Sequence, residues 1–410
     1  MEKLQGELFW KNKRDYPGVN IIQFMPYFPP HKWGLETVWQ EIWINWKKNN
    51  LGNFINVITS FNQELDLEQN EKIIYKNEII WYKKDDIIHL VIPSFEIINN
   101  FPMYKFWDKK TKLIFKYLKG NIVRETRVIT HTRFFLTSLF WWIFARKNKI
   151  KWIHIEHWSD YVKLSSKLKT NLSIIYDKIF GKWIFKKADN VLAISEACKI
   201  FINNEFVKRE VNVFYRGIEI SDNIKITENL KQKFNNKIII WYIGRLYKWK
   251  NVESLIKSFY LLDTEIKEKI QVVIVWDWED FLRLKKLDID NNIYFTWWKD
   301  FSDALSYQKQ FDIHIHPSSP GWWLATTLLQ AMYFGCFIVA TPNEWAKEVI
   351  VNDFNGILLE NDNILEIKNG IEKSILNIDN KEKFSKNNFE IIEKKFKREN
   401  NILNLYNFIK

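Results

Sequence analysis

Strand-like apolar runs alternate with longer helical stretches along most of the 410-residue chain, and this alternation restricts the possible folds most strongly. It is typical of βαβ units, in which helices join parallel strands and cover the sheet. In the first half, the runs lie at Val19–Met25, Phe54–Ser60, Arg127–His131, Lys151–His157, Asn190–Ser195 and Val211–Tyr215. In the second half, they lie at Lys237–Gly244, Gln271–Val275, Asn292–Thr296, Phe311–Ser318 and Cys336–Thr341. The pattern predicts two doubly wound α/β domains.

The length of the chain also favours two domains, and the polar segment Glu219–Asn236 is interpreted as the linker between them. Ligands of open α/β sheets bind outside the carboxyl ends of the strands. We therefore expect a ligand between the two domains.

Composition excludes several classes of protein. The N-terminal segment is too charged for a signal peptide, and the longest apolar run, Phe134–Ala145, is shorter than a bilayer span, so a cytoplasmic protein is predicted. Cys198 and Cys336 lack the spacing of metal ligands and are interpreted as core thiols. The net charge of +12 fits nucleic acid, an anionic membrane or a phosphorylated substrate, and it does not choose among them.

One turn has an unexpected composition. The stretch VVIVWDWEDF, Val272–Phe281, predicts a buried strand that turns at once into a helix, yet the turn carries Trp276 and Trp278 where a small residue is expected. The whole chain has only 12 glycines but 21 tryptophans. Glycine is therefore at about half of its average usage in proteins, which is roughly 7%.

A series of motifs resembles the retaining GT-B glycosyltransferases of family 4, the glycosyl transferases group 1, in order along nearly the whole chain. GRLYKWKN (Gly244–Asn251) resembles the GRL element of that family, and VWDWED (Val275–Asp280) resembles its GDGED turn. Further similar segments are PPHKWGLETV, EHWSDYV, VLAISEACK, FYRGIEI, PGWWLATTLLQAM and TPNEWAKEVI.

At several positions where the family pattern has glycine, this chain has tryptophan: Trp33, Trp158, Trp249, Trp276, Trp278, Trp323 and Trp345. We hypothesise that many of these residues are glycines, because the gene uses UGA as a glycine codon that conventional translation renders as tryptophan. The alternative is a protein that is rich in genuine tryptophan. Glycine would leave room for backbone amides to approach a phosphate, whereas an indole would fill that room.

The resemblance implies roles for individual residues. His157, Arg245 and Lys250 would be catalytic: the two cations would bind the donor diphosphate without a metal, and the histidine would face the donor sugar. His154 is on the opposite pleat face and is interpreted as a packing residue, while His131 is an intermediate case. The implied donor-binding residues are Trp33, Gly34, Gly244, Trp276, Asp277, Trp322, Trp323, Leu324, Thr326 and Gln330.

The loop that precedes Gln330 departs from the family pattern. Relatives carry E-x7-E there, and Trp322 and Gln330 occupy the places of the two glutamates. Gln330 can still hydrogen-bond a ribose, whereas Thr326 is equally explained as a helix cap. The acidic residues near Asp277 resemble a metal site, but a helix N-terminus explains them equally well, and no metal or organic cofactor is expected.

The resemblance implies an enzyme that transfers a sugar from a nucleotide-diphosphate donor to an acceptor with retention of configuration. Residues 1–216 would bind the acceptor, residues 217–385 would bind the nucleotide sugar, and a helix over 386–410 would pack back on the first domain. The expected acceptor is a cell-envelope polysaccharide or lipid-linked glycan, with peripheral contact at the inner face of the cytoplasmic membrane and no nucleic-acid partner. The alternatives are a nucleotide-sugar epimerase or hydrolase on the same fold, and a non-catalytic GT-B binding module.

Overall fold

The structure is a computed structural model, and it describes residues 18–26, 35–59, 72–75, 78–84, 87–98, 101–162, 166–220, 223–277, 280–296, 301–319 and 325–410. The chain forms two compact units. The first consists of Met1–Arg216 with Glu399–Lys410, and the second consists of Gly217–Arg398. The chain therefore returns to the first unit at Glu399. The expected boundary between residues 385 and 386 lies earlier, inside the helix Lys381–Ile391.

The first unit contains strands β1 (Asn20–Met25), β2 (Phe54–Thr59), β3 (Lys72–Tyr75), β4 (Glu78–Lys84), β5 (Ile87–Ile92), β6 (Ser94–Ile98), β7 (Phe101–Tyr104), β8 (Thr126–His131), β9 (Lys151–Glu156), β10 (Asn190–Ala193) and β11 (Asn212–Val213). Its helices are α1 (Leu35–Lys48), α2 (Lys109–Gly120), α3 (Thr137–Lys147), α4 (Lys167–Tyr176), α5 (Lys182–Lys187) and α6 (Glu196–Glu205). A π-helical turn, Asp177–Gly181, joins α4 to α5.

In the described part of this unit, the main sheet has the order β11-β10-β9-β8-β1-β2-β5-β4-β3. The strands from β11 to β5 are parallel, and β4 and β3 extend the sheet in antiparallel fashion. The strand order reverses between β1 and β8. Such a reversal opens a crevice at the carboxyl ends of the two strands, which is where doubly wound sheets bind ligands.

The second unit contains strands β12 (Ile238–Arg245), β13 (Ile270–Asp277), β14 (Ile293–Thr296), β15 (Ile313–His316), β16 (Phe337–Ala340) and β17 (Ile357–Leu358). Its helices are α7 (Leu230–Lys233), α8 (Val252–Tyr260), α9 (Thr264–Lys269), α10 (Phe281–Lys285), α11 (Phe301–Gln308), α12 (Thr326–Tyr333), α13 (Glu344–Val349), α14 (Ile364–Leu376) and α15 (Lys381–Ile391). A π-helical turn, Ile392–Phe396, follows α15, and α16 (Arg398–Ile409) ends the chain.

The second sheet has the order β14-β13-β12-β15-β16-β17, and all of its described pairs are parallel. Helices cover both faces of such a sheet, so its strands are buried on both sides and are continuously apolar. Val272 to Val275 in β13 are accordingly buried. The reversal of strand order lies between β12 and β15, so the carboxyl ends of these two strands form the ligand position of this unit.

The predicted α/β class is confirmed, and all eleven predicted strands are present. Strands β3 to β7 and the two-residue β17 were not predicted. No helix in the described ranges has both the length and the hydropathy that a bilayer crossing requires.

The interpretation of Glu219–Asn236 as a linker is wrong, because part of this segment packs into the second unit. Leu230 is completely buried. The backbone N–H groups of Thr227 and Leu230 donate to Ser306 Oγ (3.0 Å) and Gln310 Oε1 (2.8 Å).

Candidate functional site

A buried ion cluster lies beside the strand reversal of the first unit. The Arg133 guanidinium contacts the carboxylates of Glu156 (3.2 Å) and Asp177 (3.0 Å), and all three side chains are fully buried. Burial alone would raise the pKa of Glu156, but Arg133 and His154 together lower it to about 2. Burial raises the pKa of Asp177 to about 6, against the opposing effect of Arg133. Glu156 is therefore the firmly ionised partner.

Glu156 also fixes the backbone of the loop that begins at His157. Its Oε1 accepts hydrogen bonds from the N–H groups of His157 and Trp158, both at 3.0 Å, and its Oε2 accepts from the N–H of Arg133 at 3.0 Å. A carboxylate that accepts several backbone N–H groups fixes the path of the chain around it. The position of His157 thus depends on a charged residue that was not among the predicted site residues.

His157 and His131 meet at the carboxyl ends of β9 and β8. His157 Nε2 lies 3.0 Å from His131 Nδ1, and both imidazoles are buried. Burial is the main reason why the pKa of His157 falls to about 3 and that of His131 falls well below its usual value. Both rings are consequently neutral near pH 7.

Thr132, which follows His131 directly, has a left-handed backbone with φ of 56°. A β-branched residue is disfavoured there, and such strain costs on the order of 1–3 kcal/mol. Its N–H donates to the Ile155 carbonyl (3.0 Å), and its hydroxyl donates to the His131 carbonyl (2.8 Å). These two bonds hold the turn at the strand reversal.

His154 has a different environment from His157, as predicted. It lies on the other face of the sheet, where Thr130 Oγ1 is 3.0 Å from its Nδ1. The indole N–H of Trp152 donates to the same hydroxyl at 2.8 Å. His154 is therefore part of the packed interior beneath the sheet.

In the second unit, Gly244 lies at the end of β12, next to the strand reversal. Its φ is +148°, and a Cβ built on it would lie 2.9 Å from the Tyr242 hydroxyl oxygen. Gly244 pairs with Trp276, and Arg245 pairs with Asp277, in the register of β12 and β13. The backbone thus brings four of the predicted site residues together; the side chains of the last three lie outside the described part.

Lys250 lies in a 3₁₀ turn, Lys248–Lys250, between β12 and α8. Its Nζ is 4.4 Å from the centre of the Trp249 ring, a cation–π distance. Within the described ranges no carboxylate pairs with this ammonium. Burial lowers its pKa to about 8, so it is mostly charged near pH 7. A desolvated cation without a counter-ion is a suitable anion-binding group.

The turn that carries Lys250 is tied to the segment after β15. The Ser319 N–H donates to the Trp249 carbonyl (2.9 Å), and the Ser319 hydroxyl donates to Asp362 Oδ2 (2.7 Å). The Ser318 hydroxyl is buried and has no partner among the described atoms. Lys250 lowers the pKa of His316, at the end of β15, in addition to the larger effect of burial. The Lys250 ammonium therefore lies close to the carboxyl ends of both β12 and β15.

Two of the predicted donor-binding residues, Thr326 and Gln330, lie on α12. Gln330 is buried, and its Oε1 accepts from Gln308 Nε2 at 3.3 Å. Thr326 is the first residue of α12, where Ala325 is the cap and makes no side-chain capping bond. Of the other predicted residues, Trp33, Gly34, Trp322, Trp323 and Leu324 lie outside the described residues.

No group of three His, Cys, Asp or Glu side chains in the described part of the chain is arranged to hold a metal ion. Asp280, from the acidic turn, forms a bidentate pair with Arg283 at the start of α10, with distances of 2.7 to 2.9 Å. This ion pair explains the acid locally.

Three of the proposed glycine positions have described side chains. Trp345 is buried and packs edge-on against Phe396, with ring centres 5.5 Å apart. Trp158 packs edge-on against Phe134 (5.2 Å), and Trp249 stacks on Tyr247 (5.7 Å). Positive φ values outside glycine occur at Asn, Asp, Thr and Lys in the described ranges and not at tryptophan.

Comparison with known proteins identifies the family. The family model described as Glycosyl transferases group 1 matches residues 224–390. An uncharacterized glycosyltransferase of Methanocaldococcus jannaschii is 40% identical over 397 residues, which cover 92% of this chain and 95% of that protein. This chain belongs to the glycosyl transferases group 1 family.

More distant similarities agree with this membership. This glycosyltransferase is 25% identical over 235 residues to the N-acetylgalactosamine-N,N'-diacetylbacillosaminyl-diphospho-undecaprenol 4-alpha-N-acetylgalactosaminyltransferase of Campylobacter jejuni, covering 56% of this chain and 62% of that one. The crystal structure of HepE from Anabaena in complex with UDP and glucose matches with a TM-score of 0.68 at 14% identity, covering 95% of this chain and 99% of that one. The structural match shows the GT-B fold.

The residues around the candidate site that sequence reasoning missed were polar side chains inside apolar strands. Glu156 is at the end of WIHIE, and Gln23 and Asn56 are in the middle of β1 and β2. Both faces of a parallel strand are usually apolar, so a buried polar residue there is the signal that could have found them.

The geometry at Gly244 predicts that Gly244→Ala lowers stability by about 1–3 kcal/mol, because alanine disfavours this φ and its Cβ meets the Tyr242 oxygen. Urea unfolding measures the loss. Adding Tyr242→Phe should recover the steric part only, and Gly120→Ala at the exposed end of α2 is the matched control. Equal stability of Gly244→Ala and wild type would contradict the prediction.

Proposed function

We propose that this glycosyltransferase moves a sugar from a nucleotide-diphosphate donor to a cell-envelope polysaccharide or lipid-linked glycan, with retention of configuration, as in family 4. The observation that carries the proposal is the Lys250 ammonium beside the strand reversal of the second unit, which has no carboxylate partner among the described residues. A diphosphate would supply the missing negative charge and recover the energy lost by burial of the cation.

The donor class has further support. The structural neighbour HepE is in complex with UDP and glucose, and the GT-B fold gives the second unit the same kind of strand reversal that binds nucleotides in other doubly wound sheets. We assign the diphosphate to Arg245 and Lys250, the donor sugar to His157, and the ribose to Gln330. Gln330 would have to exchange its bond to Gln308 for the ribose hydroxyls. The first unit would bind the acceptor, and the reaction would need no metal.

The acceptor class rests on relatives. The Campylobacter enzyme is named for a sugar linked to diphospho-undecaprenol. An acceptor with such a lipid tail is held at a membrane surface, so the enzyme would have to work there.

A helix of the first unit suits this surface. Helix α4 has no buried residue. Its apolar side chains recur at intervals of three and four: Leu168, Leu172 and Ile175 are 71%, 58% and 54% exposed, and Ile179 in the following turn is 59% exposed. Exposed lysines flank this stripe: Lys167, Lys169, Lys178 and Lys182. An apolar stripe with flanking cations fits an anionic lipid surface, and we propose peripheral binding through α4.

We also propose that many tryptophans at glycine positions of the family pattern are glycines encoded by UGA. The support is the low glycine count, the high tryptophan count and the agreement of seven positions with the family pattern. Gly34, Trp33 and the residues from Trp322 to Leu324 would then form backbone contacts to the donor.

Product analysis separates the proposed function from its alternatives. The protein is incubated with a panel of UDP, GDP and ADP sugars, with and without polyprenyl-linked and oligosaccharide acceptors. Acceptor-dependent release of nucleotide with a retained linkage supports transfer. Release without an acceptor indicates a hydrolase, an epimerised sugar indicates an epimerase, and binding without turnover indicates a non-catalytic module.

We predict that Lys250→Met weakens UDP binding about 10- to 100-fold, because a charge-assisted hydrogen bond contributes about 1.5–3 kcal/mol. Wild-type affinity should fall as pH rises through about 8, where the free ammonium loses its proton. Lys250→Arg should remove this pH dependence. Titration calorimetry measures both effects, with the exposed Lys248→Met as control. Unchanged affinity in Lys250→Met would refute the assignment.

Peptide mass spectrometry of protein from the native host tests the recoding. We expect glycine at positions 276, 278 and 323 in peptides that span Gln271–Arg283 and Pro317–Gln330, because open loops are needed for the phosphates. Tryptophan at these positions would contradict the recoding hypothesis and favour a non-catalytic binding module.

Vesicle co-sedimentation tests the membrane contact. Leu172→Asp with Ile175→Asp should lower binding to vesicles of phosphatidylglycerol and phosphatidylcholine at least tenfold, since each side chain that enters the lipid contributes about 1.5–3 kcal/mol. The pair Leu282→Asp and Leu376→Asp, on leucines that are even more exposed, is the control. If the two double variants bind alike, α4 is not the contact.

A further inference from the structure

Five buried polar side chains form a continuous hydrogen-bonded chain across five neighbouring strands of the first unit. His157 Nε2 is 3.0 Å from His131 Nδ1, and His131 Nε2 is 3.3 Å from Gln23 Oε1. Gln23 Nε2 donates to Asn56 Oδ1 at 3.3 Å, and Asn56 Nδ2 is 3.4 Å from His89 Nδ1. His157 directly follows β9, and the other four lie in β8, β1, β2 and β5, in the order of the sheet.

These five hydrogen-bonded side chains are shielded from water. Four of them are completely buried, and His157 is 3% exposed. Trp39 of α1 packs against His131 with ring centres 5.4 Å apart, and Trp43 packs edge-on against His89 at 5.3 Å. Tyr82 of β4, the cross-strand partner of His89, stacks on the His89 ring with centres 4.7 Å apart. Hydrogen bonds in such an environment hold one polarity strongly, because the alternative leaves a buried donor or acceptor unpaired.

The donor and acceptor of each hydrogen bond in this series can be worked out from Gln23. Its amide nitrogen donates both to Asn56 Oδ1 and to Met25 Sδ (3.3 Å), so its oxygen faces His131. An oxygen can only accept, so His131 Nε2 carries a proton and the Nδ1 of this neutral ring carries a lone pair. His157 Nε2 must then donate to His131 Nδ1. The remaining nitrogen, His157 Nδ1, is an acceptor.

His157 Nδ1 is buried and has no partner among the described atoms. The charged groups that influence this ring are Glu156, which raises its pKa, and His154 and Arg216, which lower it. Arg216 is itself paired with Glu41 at 2.9 Å. A buried acceptor without a partner is costly, and a hydroxyl of a bound ligand would satisfy it.

We propose that His131 and Gln23 are positioning residues that fix the Nε2–H tautomer of His157, so that His157 Nδ1 accepts a hydrogen bond from a hydroxyl group of the bound donor sugar. The sugar part of this inference rests on the proposed function, whereas the tautomer is a property of the free protein. His131 and Gln23 need not touch the ligand; they act through His157.

Nuclear magnetic resonance of the full chain labelled with ¹⁵N-histidine tests the tautomer without a ligand or activity. The chain has seven histidines, which substitution can assign. We expect a protonated Nε2 and a bare Nδ1 in His157. A protonated Nδ1 in the wild type overturns the proposal, and this result does not depend on whether the protein transfers sugar.

Variants test whether Gln23 sets the tautomer of His157 through His131, an effect that we call the relay. Gln23→Met removes the acceptor for His131 and should change the tautomer signals of His157, although Gln23 and His157 are separated by His131. Gln23→Glu keeps an acceptor and should retain the wild-type tautomer, and it also serves if Gln23→Met does not fold. Thr130→Val is the matched control, because it breaks a histidine bond of 3.0 Å on the other face and should affect His154 alone among the histidines. A His157 response to Thr130→Val as large as to Gln23→Met overturns the relay.

Kinetics with the donor selected by the transfer assay tests the acceptor role. Gln23→Met should lower kcat/KM about three- to tenfold with the natural sugar, the range for one neutral hydrogen bond. The loss should vanish with the monodeoxy donor that lacks the hydroxyl bound by His157. Equal losses on the natural donor and on every monodeoxy analogue would show a general structural effect and would overturn the acceptor role.

Discussion

Arg133 places a fully buried guanidinium between the carboxylates of Glu156 and Asp177, and the loop that carries His157 is arranged around this cation. Removing one partner from a buried ion cluster typically costs about 3–5 kcal/mol, because a charge is left uncompensated. Two carboxylates share one cation here, and the opposite pKa shifts of Glu156 and Asp177 divide the roles. Glu156 stays ionised and holds three backbone N–H groups, which makes the position of His157 a consequence of electrostatics as much as of strand pairing.

The two units have the same kind of strand reversal but carry opposite chemistry at it. The second unit has a partly desolvated ammonium, Lys250, without a carboxylate partner in the described residues. The first unit has two neutral imidazoles, since burial keeps His131 and His157 unprotonated. A cation suits a diphosphate, whereas a neutral acceptor suits a hydroxyl group. In the proposed function, the reversal of the second unit would bind the diphosphate, and that of the first unit would bind a hydroxyl group.

The fold was largely predictable because continuous apolar runs identify buried parallel strands, as in Val272–Val275. The edge strands β3 and β4 were not predictable in the same way, since antiparallel strands at a sheet edge do not need continuous apolar sequence. The position of His157 followed from the end of a strand. Gln23 and Asn56, which are linked to His157 through His131, did not follow, because their contacts depend on the order of β8, β1 and β2 in the sheet, which the sequence does not state. The segment near Leu230 was misread because Leu230, the one buried side chain in its described part, lies among many polar residues.

Glycine has two separate uses, and the tryptophans with a described backbone, at 158, 249, 276 and 345, involve only one of them. Where the described backbone has positive φ near the strand reversal of the second unit, the residues are Gly244 and Asn251. At the tryptophan positions 249 and 345, what matters is the volume of the side chain. At position 249 a glycine would remove the indole 4.4 Å from Lys250 and leave that ammonium more hydrated, with a pKa nearer its usual value. At position 345 a glycine would open a cavity beside Phe396, and emptying such a site costs about 3–5 kcal/mol. Recoding would thus reduce the desolvation of Lys250 at 249 and remove packing at 345, so the two positions are independent physical tests of one hypothesis.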